Sequence, residues 1–131
     1  DQAENALIKF YEWRKNNDLQ VIGSELQLVS EKYKYGGTVD CYGILNSVPT
    51  LIDFKTSKAI YPEMLHQLAA YKQLLEENGY PVKKARILRI GRDETEGFEE
   101  LLAGNLKLHW RIFKHCREIY ELQKILKKEA V

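Results

Sequence analysis

Gly36 to Gly43 reads G-G-T-V-D-C-Y-G and Leu51 to Ser57 reads L-I-D-F-K-T-S; the reading of these two runs decides the fold. Strands are expected over roughly Thr38 to Leu45 and Thr50 to Thr56, joined through Asn46, Ser47, Val48 and Pro49 as a hairpin. Side chains alternate faces along a strand, so Asp53 and Lys55 point one way while Ile52 and Phe54 point the other way, into packing. With Asn46 and Ser47 as the central residues of a tight turn, counting outward pairs Leu45 with Val48 and brings Asp40 directly opposite Asp53.

Opposed residues have Cβ atoms about 4.5 to 5.5 Å apart, and like charges so placed destabilise a hairpin unless something compensates. A divalent cation compensates well, because Mg²⁺ and Mn²⁺ take hard oxygen ligands, commonly one or two carboxylates with waters and phosphate oxygens. The backbone carbonyl of Phe54 is a further candidate ligand. Lys55 is placed to orient or deprotonate an attacking water and to offset charge developing on a phosphate. A bare D-x-K is most often a solvated surface pair. The context raises this one above that: an aspartate at the matching hairpin position, small residues before it, an apolar strand leading into Asp53, and a helix afterwards.

Outward from the hairpin, Ala6, Leu7, Phe10, Tyr11 and Trp13 recur at helical spacing from Ala3 to about Asn17. Val21, Leu26, Leu28, Val29 and Tyr33 mark extended chain from Leu19 to about Tyr35, with a break near Ser30. Gly36 and Gly37 then permit a bend or a close backbone approach. Downstream, Pro62 suits the first turn of a helix carrying Leu65, Leu68, Ala69, Leu74 and Leu75 to a stop at Asn78 and Gly79. Ala85 to Ile90 reads as a strand, Asp93 to Glu100 as an acidic connector, and about Phe98 to Lys128 as a long packed helix. Leu108, Ile112, His115, Ile119, Leu122 and Leu126 share one arc of that helix. The order helix, three strands, helix, strand, helix predicts an α/β fold, a mixed sheet with helices against it.

The 131 residues fit one domain, 1–131, without an internal linker or repeat. Hydrophobic content of 44% and charged content of 30% are those of a globular protein, and no run nears the ~18 apolar residues of a membrane span. A net charge of +1 announces no nucleic-acid partner by itself, so a basic surface must come from local clustering. Cys41 and Cys116 fit neither a disulfide framework nor a paired zinc site, and an intracellular, cytoplasmic setting is the default. Asp1 in place of Met suggests upstream chain that is missing.

The run G-G-T-V-D, then L-I-D-F-K-T-S, then Q-L-A-A-Y resembles the RecB-like branch of the PD-(D/E)XK nuclease superfamily, over about Val21 to Leu75. The resemblance implies a restriction-endonuclease-like αβββαβ core, here with a long C-terminal helix, and metal-binding roles for Asp40 and Asp53 with Lys55 catalytic. It matches Gln67 and Tyr71 to the family's Q-x-x-x-Y motif and Glu25, in I-G-S-E-L, to its upstream glutamate, a further catalytic residue and metal ligand, directly or through water. Two departures stand out. Relatives often carry a metal-ligand histidine before the first strand, and Asp1 to Gln20 contains none; others hold an iron-sulfur cluster on four cysteines, which two cannot supply, so no cluster is expected.

Ordinary readings stand beside these. Tyr71 could be a core aromatic with Gln67 a surface amide, and Glu25 could simply face solvent. His66, His109, His115 and Cys116 fit no standard zinc spacing. Lys107, Arg111, Lys114, Arg117, Lys124, Lys127 and Lys128 make the last helix basic, but Glu118 and Glu121 interrupt the stripe, so a solvated face is expected there. Lys32, Lys34 and Lys58 lie nearer the hairpin, with Lys58 the preferred substrate contact.

The expected function is hydrolysis of DNA by water with one or two Mg²⁺ or Mn²⁺ ions, most simply as an exonuclease in recombination, repair or phage DNA processing, alone or with a helicase or recombination partner. An endonuclease or Holliday-junction resolvase is the nearest alternative. A non-catalytic DNA-binding module and a plain metal-binding scaffold come from other classes, and the intact trio Asp40, Asp53 and Lys55 argues against the first of these.

Overall fold

Asn46 and Ser47 both have positive φ, 49° and 71°, as a two-residue type I′ turn requires. That turn joins β2 (Tyr35–Leu45) to β3 (Val48–Thr56), and pairing runs antiparallel from Leu45 and Val48 to Cys41 and Ile52, the register expected from the sequence. β1 (Leu19–Ser30) flanks β2 antiparallel. The computed structural model describes residues 2–93 and 95–130, with the side chains of residues 2, 3 and 5–7 outside that description.

α1 (Gln2–Lys15) precedes the strands, α2 (Pro62–Glu77) follows them, and β4 (Lys84–Ile90) then lies parallel to β3. α2 is the crossover that parallel neighbours need. β5 (Phe98–Leu102) closes the order β1-β2-β3-β4-β5, antiparallel to β4, and α3 (Lys107–Glu129) ends the described chain. The fold is a mixed sheet with helices against it, as expected, with five strands in place of the four read from the sequence. Among the described residues no helix is long and apolar enough to cross a membrane.

The sheet's two faces carry two clusters. Trp13, Leu19, Cys41, Leu45, Ile52 and Leu88 pack together on one, and Phe10 of α1 stacks on Phe54 with ring centroids 5.5 Å apart. Val39, Leu51, Ala85 and Ile87 meet Leu68, Ala69 and Leu75 of α2 on the other. Pro62 opens α2, Asn78 caps it, and Gly79 takes the positive φ of 88° that turns the chain away. Gly36 and Gly37 do not bend the chain. They pair within the β1–β2 ladder, and a Cβ on Gly37 would lie 2.9 Å from Tyr71 Cε1, so the close approach is to α2.

Three expectations need correction. The apolar stripe of α1 is only partly inward: Trp13 is buried but Tyr11 is exposed, while Ala6 and Leu7 lie outside the described side chains. The acidic connector is partly β5, whose Glu99 and Glu100 neutralise Arg89 and Arg86 of β4 across the ladder. The last helix therefore begins at Lys107, not near Phe98, and its arc of Leu108, Ile112, Ile119, Leu122 and Leu126 is exposed. α3 packs instead through Trp110 and Phe113, whose rings meet Tyr33 and Tyr35.

Candidate active site

β2 and β3 stop pairing at Cys41 and Ile52, one step before Asp40 and Asp53. Freed from the ladder, Asp40 turns its carboxylate to the neighbouring strand, where Oδ2 accepts a hydrogen bond from the Phe54 amide at 2.9 Å. Asp53 is 2% exposed, and its carboxyl is pushed up to about 7, first by burial and then by the hydrogen bond it shares with Asp40, against the pull of Lys55. The face-to-face carboxylates read from the register are thus neighbours, and Asp40 favours the neutral form of Asp53.

Lys55 follows on the same side, with Nζ 3.1 Å from Asp53 Oδ2. It also donates to Gln67 Oε1, and Gln67 Nε2 donates to the Tyr71 hydroxyl at 3.0 Å. The i, i+4 spacing on α2 puts Gln67 and Tyr71 on one helical face. Donation to Tyr71 leaves the Gln67 carbonyl oxygen for the lysine. Burial, and next the charges of Asp53 and Asp40, raise the Tyr71 pKa, so its hydroxyl stays neutral within the field of both carboxylates.

Asp40, Asp53, Lys55, Gln67 and Tyr71 therefore form one connected group. Glu25 does not join it: φ at Glu25 is 49°, its side chain is exposed, and no three His, Cys, Asp or Glu residues among those described stand close enough to hold a metal ion together. Lys58 is also apart. It is exposed, and its charge is felt by Glu96, whose carboxyl is held low chiefly by hydrogen bonds from Arg92.

Sequence reasoning missed Arg89. This buried residue of β4 donates to the Ser57 carbonyl at 2.8 Å and the Glu96 carbonyl at 2.9 Å, with Glu99 Oε1 at 3.1 Å, and so fixes the chain leaving Lys55. An arginine inside the apolar run I-L-R-I was the available signal.

The donor set fits a small hard cation. Two adjacent carboxylates offer oxygens, Asp53 Oδ2 is buried without a well-formed hydrogen bond, and its raised pKa records the cost of ionising without a stronger positive neighbour than Lys55. Two carboxylates with waters and substrate oxygens is a usual Mg²⁺ arrangement.

Fold and site together define a mixed α/β sheet with an acidic centre where the β2–β3 ladder ends. No family model and no curated protein matches the sequence. Among solved structures, one from Eubacterium rectale described as a "putative exonuclease" matches with a TM-score of 0.67 at 15% identity, covering 96% of this chain and 52% of that one. The protein SSO0001 matches with a TM-score of 0.51 at 17% identity, over 88% of this chain and 56% of its own. The likeness is one of fold, and this chain spans about half the length of both structures.

Proposed function

We propose that the chain is a metal-dependent deoxyribonuclease core of the PD-(D/E)XK superfamily, RecB-like branch, acting as an exonuclease in recombination, repair or phage DNA processing. The observation that carries the reading is the connected group Asp40, Asp53, Lys55 and Gln67, two carboxylates beside one oriented ammonium. The exonuclease-like fold of the neighbour from Eubacterium rectale agrees with it. DNA is the proposed substrate; a helicase or recombination protein is a further proposed partner.

Asp40 and Asp53 would hold Mg²⁺ or Mn²⁺, with the Phe54 carbonyl as a third oxygen. Such an ion supplies polarisation of the phosphate and acidification of water. Lys55 offsets the negative charge gathering on the phosphate oxygens as water attacks phosphorus and the leaving oxygen departs. Gln67 keeps the ammonium aimed by accepting one of its protons, and Tyr71 keeps Gln67 from turning over. These two are positioning residues. A non-catalytic binding module has no chemical use for the aimed lysine.

Cleavage of labelled linear and circular DNA, single- and double-stranded, with Mg²⁺, Mn²⁺ or EDTA tests the reading. Wild type should cut linear DNA only with the cations, and folded Lys55→Ala should lose at least a hundredfold in rate, within the usual scale of general acid-base and electrostatic contributions. Equal cutting by Lys55→Ala would sink the mechanism. Preference for circles or junctions would select the endonuclease or resolvase alternative.

A further inference from the structure

Resting on the nuclease reading, we propose that the groove between the β1–β2 turn and α3 is a stacking site for unpaired bases of single-stranded DNA, seating the strand that reaches Asp40 and Asp53. The groove has a volume of about 350 Å³, within the ~300–1,000 Å³ common to ligand clefts. Its floor is aromatic. Tyr33 meets Trp110 edge-on at 5.0 Å, and Trp110 lies nearly parallel to Phe113 at 5.8 Å.

Cations surround these rings. Lys32 Nζ stands 5.2 Å from the Tyr33 ring centre, and Lys114 Nζ stands 5.6 Å from that of Trp110 and 5.9 Å from that of Tyr33. Lys34 and Arg117 bring the lining to four cations against two carboxylates, Glu118 and Glu121, and Arg117 already pairs with Glu121 at 2.9 Å. The surplus is local, since the whole chain carries only +1. Packing of α3 accounts for the rings touching one another. It does not account for flexible lysines gathered from two distant segments over partly exposed rings.

Rings offering π-faces inside a positive rim are the equipment of single-strand binding, where bases stack and phosphates meet cations. A duplex keeps its base faces stacked internally and offers only edges and backbone, so the floor favours unpaired bases. β2 leads from the groove toward the centre. Tyr35, beside the turn, donates to the Ala70 carbonyl of α2 at 2.7 Å, next to Tyr71, and Asp40 lies five residues further along β2, ~17 Å at the rise of a strand. A strand held on the rings reaches the carboxylates within a few nucleotides.

The test is fluorescence anisotropy of a labelled single-stranded oligodeoxynucleotide and its duplex, measured in EDTA so that binding is read without hydrolysis. Wild type should prefer the single strand. Trp110→Ala should weaken that binding roughly tenfold or more. Lys32→Gln and Lys114→Gln, both at exposed positions, keep the test valid if Trp110→Ala does not fold; each should lower the slope of log affinity against log salt by about 0.7. Wild type should hydrolyse bis(p-nitrophenyl) phosphate with Mn²⁺, a readout of the centre alone because that diester is too small to span groove and centre. Binding lost in the lysine variants while wild type hydrolyses nothing would sink the nuclease reading and leave the groove standing. Single-strand binding unchanged in both lysine variants, duplex bound as tightly as single strand, or displacement by polyglutamate at equal charge would overturn the proposal.

Discussion

Asp53 carries the largest electrostatic tension at the site, because burial and the proximity of Asp40 both favour its neutral form. A carboxyl that titrates near 4 in the unfolded chain and about 7 in the folded one keeps its proton on folding across that interval. The native state then binds more protons than the unfolded state, so stability falls as pH rises from about 4 to 7 and levels off above it. Asp53→Asn abolishes that slope. In EDTA the variant should match wild type near pH 4 and exceed it by a few kcal/mol at pH 8, at most ~4 kcal/mol from the size of the shift. Urea unfolding at pH 4, 6 and 8 reads this directly, and a variant no more stable than wild type at pH 8 contradicts it. Much of this residue-scale picture was legible, since strand alternation alone puts Asp53 and Lys55 on one side. The Asp40 link to the Phe54 amide was not, because it forms where the ladder ends and register no longer dictates geometry. Glu25 was placed by resemblance, and a left-handed backbone at that residue is invisible in a string of letters.

α2 and the hairpin meet at Gly37, where strand and helix approach too closely for a side chain. A Cβ there would lie 2.9 Å from Tyr71 Cε1 and 3.3 Å from Leu74 Cδ1. Gly37→Ala should therefore displace Tyr71, destabilise the protein by about 1 to 3 kcal/mol, and loosen Gln67 from Lys55 so that kcat falls while cation affinity holds. Thermal unfolding, cation titration and a cleavage assay check these parts, and an alanine variant of unchanged stability would show that α2 sits further from β2. Hairpin, crossover helix and central strands were readable because turn chemistry, helix stops and alternation agreed there. β5 escaped because F-E-E-L-L follows an acidic loop, and its glutamates make sense only opposite Arg86 and Arg89. The arc of α3 was read as the packed face because spacing reveals an apolar stripe without revealing what faces it. Aromatic contacts from Trp110 and Phe113 decided the side instead.

At the scale of the whole molecule, the site lies at the carboxyl end of β3, where that strand leaves its antiparallel partner β2 and passes through α2 to the parallel strand β4. Open α/β sheets characteristically place ligands beyond the carboxyl ends of their strands, in crevices that topology opens. Here the β2–β3 ladder ends one step before the two aspartates, which stand on the two strands where they part. In the proposed mechanism the two act together as a cation site. Electron paramagnetic resonance of Mn²⁺ titrated with wild type and with Asp53→Asn tests that most directly, because free Mn²⁺ gives a signal that bound Mn²⁺ largely loses. Wild type should bind one or two ions, and folded Asp53→Asn should bind at least tenfold more weakly. Equal binding by the two proteins, or none by wild type, would contradict the account.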